Sequence, residues 1–294
     1  EHIMAEPKFG PAGNSESFAA AGFKKSEDAP AWLAQMGLTA FEYQCGRGVR
    51  CGEETALKIG AAAEQHGIQM SIHAPYFINL SSEESERMEK NVGYVLETAR
   101  LAVPLGATRM VVHCGGQGKL TRDRAMRNSH ENVKNILRAL DEAHLGHIIV
   151  CPEVMGKFNQ LGTLEEVMEL CRLDDRLLPC IDFGHLNART LGSIRGAEDY
   201  EHILLTMKNE IGEQRMKCFH SHFSQIEYTE NGGEKRHLTF ADTTYGPYFA
   251  PLAEVLVKYD SQPTIICESA GTQAEDAATM RDLYNQAAER KNQA

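Results

Sequence analysis

Six short apolar runs along this chain end in side chains of the types that coordinate metal ions. The runs are QMSIHAP, RMVVHC, IIVCPEV, LLPCIDFGH, MKCFHSHFS and TIICESAG. Their polar residues are His73, His113, Glu153, Asp182 with His185, His220 with His222, and Glu268. Burying a polar group at the end of an apolar strand is costly unless a partner compensates it. Because six runs share this arrangement, the sequence predicts that these side chains converge on one site.

The same runs predict the fold. Each run is followed by a helix-like stretch, which is the pattern of buried parallel strands alternating with helices. Two earlier runs, residues 8–14 and 39–45, complete a count of eight strands. No GxGxxG motif follows the first strand, which argues against a doubly wound open sheet. The sequence therefore predicts an α/β fold, a single-domain (β/α)8 TIM barrel with the polar residues at its carboxyl-terminal rim.

Length and composition are compatible with one large domain. The 294 residues are 42% hydrophobic and contain no Pro- or Ser-rich linker. We expect a metal-dependent catalytic barrel over residues 8–294, with residues 1–7 as an expression scar or disordered start, so His2 is set aside as a ligand. No apolar run approaches the roughly 20 residues of a membrane span. Eight cysteines without a CxxC pair indicate reduced thiols, and hence a cytoplasmic protein without a membrane partner.

The charge of the chain limits the classes of partner. A formal net charge of -11 argues against a basic nucleic-acid binder with a domain-wide positive field. It does not exclude an enzyme that acts on nucleic acid. Some of the acidic residues would be metal ligands, and bound divalent cations would reverse the local field where phosphates lie.

The ligand types indicate the metal. His, Asp and Glu together are typical of zinc or manganese sites. Glu153 and Glu268 follow runs too apolar for a solvent-exposed face, so each is expected to be a buried carboxylate that a cation compensates. The alternatives are structural: His73 could be a core histidine, and Asp182 with His185 could form a hydrogen-bonded pair.

One segment carries a family resemblance. The run SIHAPYFINL, residues 71–80, resembles the HAPYxINL signature of the endonuclease IV family of apurinic/apyrimidinic endonucleases. Further matches follow in order, namely VVHCGG, PEVMG, CIDFGHLNA and ICESAG. The resemblance extends from about residue 8 to residue 285, which is nearly the whole chain.

The resemblance implies a set of metal ligands. In that family three zinc ions lie at the top of the barrel, and Mn²⁺ is the alternative metal for this chain. The implied ligands are His73, His113 and Glu153 for the first ion, Glu153, Asp182, His222 and Glu268 for the second, and His185 and His237 for the third. Glu153 would bridge the first two ions.

Two positions leave alternatives open. Family spacing favours His222 over His220 as the ligand on its strand, yet both point to the same side of a strand. The family's DRH triplet is Lys235-Arg236-His237 here, so a lysine stands where the family has an aspartate. A protonated lysine side chain has no lone pair and cannot coordinate a metal. We therefore expect two zinc ions, with a third site that Lys235 weakens unless Glu234 or Asp242 replaces the carboxylate.

The resemblance also implies an activity. It indicates a monomeric, zinc-dependent phosphodiesterase that cleaves damaged double-stranded DNA 5′ to abasic sites, a DNA-repair reaction. Glu153 and Glu268 would be the catalytic residues. Tyr76 would lie against the DNA at the lesion, and Arg47 and Arg50 would contact phosphates. The alternative for the two arginines is that they are ordinary loop charges.

A second class of enzyme fits part of the pattern. A sugar isomerase or epimerase of the xylose-isomerase-like group holds one divalent cation with Glu, Asp, His and Glu on four strands. Glu153, Asp182, His222 and Glu268 would supply that set. His73 and His113 lie outside it and favour the endonuclease. A metal-binding barrel without catalysis is the third alternative.

Overall fold

Eight parallel strands surround a common axis in the computed structural model, which describes residues 5–294. Residues 1–4, including His2 and most of the expected amino-terminal scar, lie outside the described residues. The barrel strands are β1 (Lys8–Pro11), β2 (Ala40–Gln44), β3 (Gln69–His73), β4 (Arg109–Val112), β5 (Ile149–Pro152), β6 (Cys180–Asp182), β7 (His220–Phe223) and β10 (Thr264–Cys267). Two further strands, β8 (Ile226–Thr229) and β9 (Gly233–His237), form a hairpin after β7.

Two four-stranded parallel sheets make up the barrel wall. One has the order β2-β3-β4-β5 and the other β1-β10-β7-β6. Two parallel bridges close the gaps between them, Ala12 with Glu42 and Glu153 with Cys180. The predicted (β/α)8 TIM barrel is therefore confirmed.

Helices cover the outside of the barrel. They are α1 (Glu16–Ala20), α2 (Ala29–Gln35), α3 (Glu53–Gln65), α4 (Ser85–Leu105), α5 (Arg122–Glu142), α6 (Leu164–Cys171), α7 (Phe183–Arg189), α8 (Ala197–Ile211), α9 (Glu213–Cys218), α10 (Phe249–Lys258) and α11 (Gln273–Gln293). Local sequence signals set their ends: Thr163 and Glu166 form a capping box at the start of α6, and Gly106 ends α4 with φ of 68°. Within residues 5–294, no helix combines the length and apolar composition that a membrane crossing requires.

The barrel interior is only partly apolar. Val111, Cys151, Leu178 and Cys180 form a buried apolar cluster separate from the main core between strands and helices. The interior also holds a fully buried carboxylate, Glu42. Interior positions of such barrels are normally filled by branched apolar side chains. A buried carboxylate in this place therefore requires partners, which are described below.

Strands β8 and β9 form a hairpin within residues 226–237. The two strands pair antiparallel, with Glu227 opposite Arg236 and Tyr228 opposite Glu234. Lys235 has no opposite residue, so it forms a β-bulge. The backbone N–H of Glu234 donates to the carbonyl of Gly156 at 3.0 Å, which attaches the hairpin to the segment after β5.

Strands β1 and β2 approach each other very closely at Gly10. A Cβ atom built there would lie 1.6 Å from the carbonyl oxygen of Ala40. Only a residue without a side chain therefore fits between the strands at the point where the barrel closes.

We expect Gly10→Ala to lower the free energy of unfolding by about 3 kcal/mol, because the strands must separate to admit the methyl group. Gly93 in α4 is a matched control, since a Cβ there meets no atom within 4 Å. Gly93→Ala should raise the free energy of unfolding by about 0.5–1 kcal/mol. Denaturant unfolding followed by circular dichroism measures both. Equal free energies of unfolding for Gly10→Ala and Gly93→Ala would contradict the close approach of β1 and β2.

Candidate metal centre

Glu153 lies at the centre of the carboxyl-terminal rim, directly after β5, and its side chain is 1% exposed. Its Oε1 atom lies 3.3 Å from His73 Nε2 and 3.4 Å from His113 Nε2. Its Oε2 atom lies 3.1 Å from His185 Nδ1 and 3.2 Å from His222 Nδ1. The two oxygens of one carboxylate thus face two different sets of imidazoles.

Three of the groups of potential ligand atoms in the described residues contain the side chains that the sequence analysis named. Within each group the ligand atoms all lie within 4.8 Å of one another. The first group is His73, His113 and Glu153; the second is Glu153, Asp182, His222 and Glu268; the third is His185, Glu234 and His237. The barrel strand ends, helix α7 and the β8–β9 hairpin bring together all eight residues that the sequence analysis named as metal ligands, together with Glu234.

Unsatisfied oxygens in the second group indicate a place for a cation. Asp182 Oδ2 and Glu268 Oε1 are buried and have no hydrogen-bond partner. Asp182 Oδ2 lies 3.1 Å from His185 Nδ1, but that nitrogen is hydrogen bonded with the carbonyl of Val154 at 2.9 Å. Burial raises the pKa of Asp182 to about 6. Buried carboxylate oxygens without donors are costly, and a divalent cation bound between them would compensate their charge.

The third group contains Glu234, one of the two carboxylates that the sequence analysis left open, and not Asp242. Glu234 Oε2 lies 3.5 Å from His185 Nε2, and Glu234 Oε1 lies 3.5 Å from His237 Nε2. The Lys235 side chain is 56% exposed, and its Nζ lies 3.5 Å from Glu227 Oε1. Lys235 therefore does not lie beside the two imidazoles, although it stands at the aspartate position of the family triplet. The bulge at Lys235 directs the lysine outward and leaves Glu234 between the histidines.

Four of the histidines are held through one ring nitrogen and present the other to a carboxylate. These anchored nitrogens are His73 Nδ1 with Ala74 O at 2.7 Å, His185 Nδ1 with Val154 O at 2.9 Å, His237 Nδ1 with Ser224 Oγ at 2.7 Å, and His222 Nε2 with Glu42 Oε2 at 2.6 Å. Metal-binding histidines are commonly anchored in this way, which fixes both the tautomer and the ring orientation. The donor set and its orientation therefore fit a multinuclear cation site.

Opposite charges compensate one another within the groups. Burial lowers the pKa of His185, but the carboxylates of Asp182 and Glu234 raise it to a net value well above the usual range. Burial raises the pKa of Glu234, yet the neighbouring imidazoles of His185 and His237 hold it well below its usual value. Protonated imidazoles can therefore neutralise the carboxylates, and a bound cation would replace those protons.

The structure separates His220 from His222. Both are fully buried on β7, but only His222 faces Glu153 and Glu268. His220 Nε2 instead lies 2.8 Å from Glu42 Oε1, deeper in the barrel. The sequence analysis did not single out Glu42. Its only signal was an acidic residue within the predicted second strand.

Tyr76 marks the solvent side of the first group. Its side chain is 55% exposed, and its ring stacks on His113 with centroids 5.6 Å apart at an angle of 21°. A cavity of ≈ 370 Å³ on one side is lined by Arg47 and Arg50, and a second cavity of ≈ 370 Å³ is lined by Arg87 and Lys157. All four cations have exposed side chains. The rim beside the candidate metal centre is thus cationic on both sides of an exposed aromatic ring, although the chain as a whole is acidic.

Two relatives are similar over most of the chain. The uncharacterized protein MJ0133 of Methanocaldococcus jannaschii is 32% identical over 254 residues, which cover 86% of this chain and 90% of the relative. A protein named "Probable endonuclease 4" in Mycoplasma pneumoniae is 24% identical over 210 residues, covering 69% of this chain and 68% of the relative.

Solved structures share the fold. Endonuclease IV from Thermus thermophilus has a TM-score of 0.68 at 21% identity, covering 97% of this chain and 100% of that chain. A D-tagatose 3-epimerase-like protein has a TM-score of 0.71 at 18% identity, covering 97% of this chain and 99% of that chain. Both likenesses are at the level of the fold.

A family model described as "Xylose isomerase-like TIM barrel" matches residues 30–287. The match includes β2 through β10 and every side chain of the three ligand groups. The chain therefore belongs to the xylose isomerase-like TIM barrel family.

Proposed function

We propose that this protein is a metal-dependent phosphodiesterase that cleaves DNA 5′ to abasic sites, and that it acts in base excision repair. The observation that carries the proposal is the presence of three ligand groups rather than one. A sugar isomerase with a single cation needs only the second group, Glu153, Asp182, His222 and Glu268. The first and third groups add four histidines and Glu234, which phosphoester hydrolysis by several cations would use.

The proposed cofactor is zinc. The ligands are nitrogen atoms of histidine and oxygen atoms of carboxylates, and zinc accepts both types. Divalent cations in such a centre activate water and stabilise the charge that develops on the leaving oxygen of a phosphodiester. Glu153 is the residue suited to link the first and second groups, because its two oxygens face different imidazoles.

Glu153 and Glu268 differ in their access to solvent. The side chain of Glu153 is 1% exposed and that of Glu268 is 18% exposed. Burial raises the pKa of Glu268, but the imidazole of His222 lowers it, and the net value is about 2. Glu268 is therefore ionised at neutral pH, and its charge is suited to hold a cation of the second group. Because it is partly exposed, we assign it the role of positioning the attacking water at the rim, whose acidity the cations would raise.

A DNA substrate is supported by the surface around Tyr76. Arg47 and Arg50 on one side, and Arg87 and Lys157 on the other, could each contact a phosphate of a chain that crosses the ring. An abasic nucleotide lacks a stacked base, so moving it out of a duplex toward the metal centre costs less than moving an intact one. The names of several relatives, including an apurinic-apyrimidinic endonuclease of Caenorhabditis elegans, agree with this substrate.

The contribution of Glu234 can be tested by metal content. We expect Glu234→Gln to lose about one equivalent of zinc per chain, because the amide removes the charge between His185 and His237. Lys235→Ala is the matched control and should retain the wild-type content, since the ammonium points away from the group. Elemental analysis after purification without chelators measures both. A full metal complement in Glu234→Gln would remove Glu234 from the centre.

The activity itself is tested with DNA. We expect the zinc-loaded protein to cut a duplex that carries one abasic analogue and to leave the intact duplex whole. Chelation should stop the reaction, and Glu268→Gln should slow it by about 100-fold or more, because the amide removes a charged ligand of the second group. The opposing result is a metal-loaded protein that leaves both duplexes whole but interconverts ketoses in a Glu268-dependent manner. That result would contradict the proposed activity and support the sugar-epimerase alternative.

The phosphate contacts predict a salt dependence. Replacing both Arg47 and Arg50 by Ala should weaken DNA binding and reduce the slope of log Kd against log salt concentration by about 1–2. Arg138→Ala near the carboxyl-terminal end of α5 is the control, since Arg138 is exposed and α5 runs from the rim loop after β4 toward the opposite end of the barrel. Fluorescence anisotropy at several salt concentrations measures the slope. An unchanged slope in the double variant would identify the two arginines as ordinary loop charges.

A further inference from the structure

We propose that Glu42 is a positioning residue of the metal centre: it holds His222 by Nε2 so that Nδ1 faces the cations, and His220 with Arg109 holds Glu42 from below. The inference rests on the metal centre proposed above. It concerns residues below the three ligand groups, in the interior of the barrel.

Glu42 is fully buried and accepts three hydrogen bonds. Its Oε1 atom accepts from Ser71 Oγ at 2.9 Å and from His220 Nε2 at 2.8 Å. Its Oε2 atom lies 2.6 Å from His222 Nε2. An ionised carboxylate is an acceptor only, so these three contacts require three donors.

Arg109 fixes the direction of this network. Its Nη1 lies 3.4 Å from His220 Nδ1, and its Nη2 donates to the carbonyl of Cys218 at 2.9 Å. A guanidinium can only donate, so His220 Nδ1 accepts and His220 Nε2 carries the hydrogen. His220 is therefore a neutral donor to Glu42. The remaining oxygen of Glu42 is left to accept from His222 Nε2.

The consequence for His222 is a fixed tautomer. With its hydrogen on Nε2, the ring presents the lone pair of Nδ1 to Glu153 Oε2 at 3.2 Å and Glu268 Oε1 at 3.1 Å. A carboxylate hydrogen bonded to the far nitrogen of a histidine also makes the near nitrogen a stronger metal donor. Glu42 thus acts on the second group without belonging to it.

The atoms of Glu42, His220 and His222 are close enough to suggest a metal site of their own. Two features argue against it. The contacts of 2.6 and 2.8 Å are hydrogen-bond distances between donors and acceptors whose hydrogens are accounted for. The guanidinium of Arg109 already places a fixed positive charge beside His220. The cluster is therefore a hydrogen-bonded support.

Glu42→Gln tests the proposal because the amide keeps the shape of the side chain but turns one acceptor into a donor. One of the two histidines must then lose its donated hydrogen bond or change tautomer. His220 is restrained by Arg109, so the change falls on His222. We expect Zn²⁺ affinity of the second site to fall by about 10- to 100-fold, while the first site, with His73 and His113, keeps its affinity.

Ser71→Ala is the matched control. It removes a hydrogen bond to the same carboxylate without contact to His222, and it should leave both affinities at the wild-type level. Glu42→Asp keeps the charge on a shorter side chain and should recover part of the loss. Titration of Zn²⁺ against a competing chromophoric chelator measures each affinity. Equal Zn²⁺ affinities in wild type and Glu42→Gln would overturn the proposal.

Histidine ¹⁵N spectra of the wild-type protein give a readout that does not depend on the folding of a variant. In the Zn²⁺-loaded protein His222 should carry its hydrogen on Nε2, with Nδ1 bound to metal. The opposite tautomer would overturn the role of Glu42 even if DNA cleavage is observed. Wild-type protein that binds no Zn²⁺ would overturn the metal centre and this inference together, whereas zinc binding without DNA cleavage would overturn only the proposed activity.

Discussion

The structure depends on the burial of one carboxylate, Glu153. Its backbone bridge to Cys180 closes the gap between β5 and β6, and its side chain lies almost without solvent access at the centre of the rim. A charge in this position must be compensated, because the protein interior screens it far less than water does. The four imidazoles that face its two oxygens meet that requirement, and they bring three other strands and helix α7 to the same point.

Much of this centre could be predicted from the sequence because barrel topology converts order along the chain into proximity in space. The carboxyl ends of parallel strands share one rim, so a polar residue at each strand end is placed near the others without any knowledge of side-chain packing. That argument located the candidate ligand residues, including His73, Glu153 and Glu268. It could not separate His220 from His222, since alternate residues of a strand point to the same side. Depth along the barrel axis decides between them, and the strand register sets that depth.

The sequence analysis could not choose between Glu234 and Asp242 and did not single out Glu42, and the physical reasons differ. The position of Glu234 depends on a bulge in a hairpin whose backbone is attached to Gly156, and a contact so far away in the sequence leaves no local pattern. Glu42 stands in a strand where an acidic residue would ordinarily indicate a solvent-exposed face. Its partner His220 is 178 residues away, so only closure of the barrel reveals that the face is interior. Interior charge pairs of this kind are set by the tertiary fold.

The acidic composition and a polyanionic substrate are compatible once the carboxylates are located. Glu42, Glu153, Asp182, Glu234 and Glu268 are all buried or nearly so around one centre, where their charges face imidazoles rather than solvent. Divalent cations bound among them would reverse the sign of the field at the rim. Arg47 and Lys157 remain exposed on either side of Tyr76, and their positive charges also favour a phosphate at the rim. Net charge describes the whole chain, whereas a phosphodiester at the rim responds to charges within about 8 Å, the screening length in physiological salt.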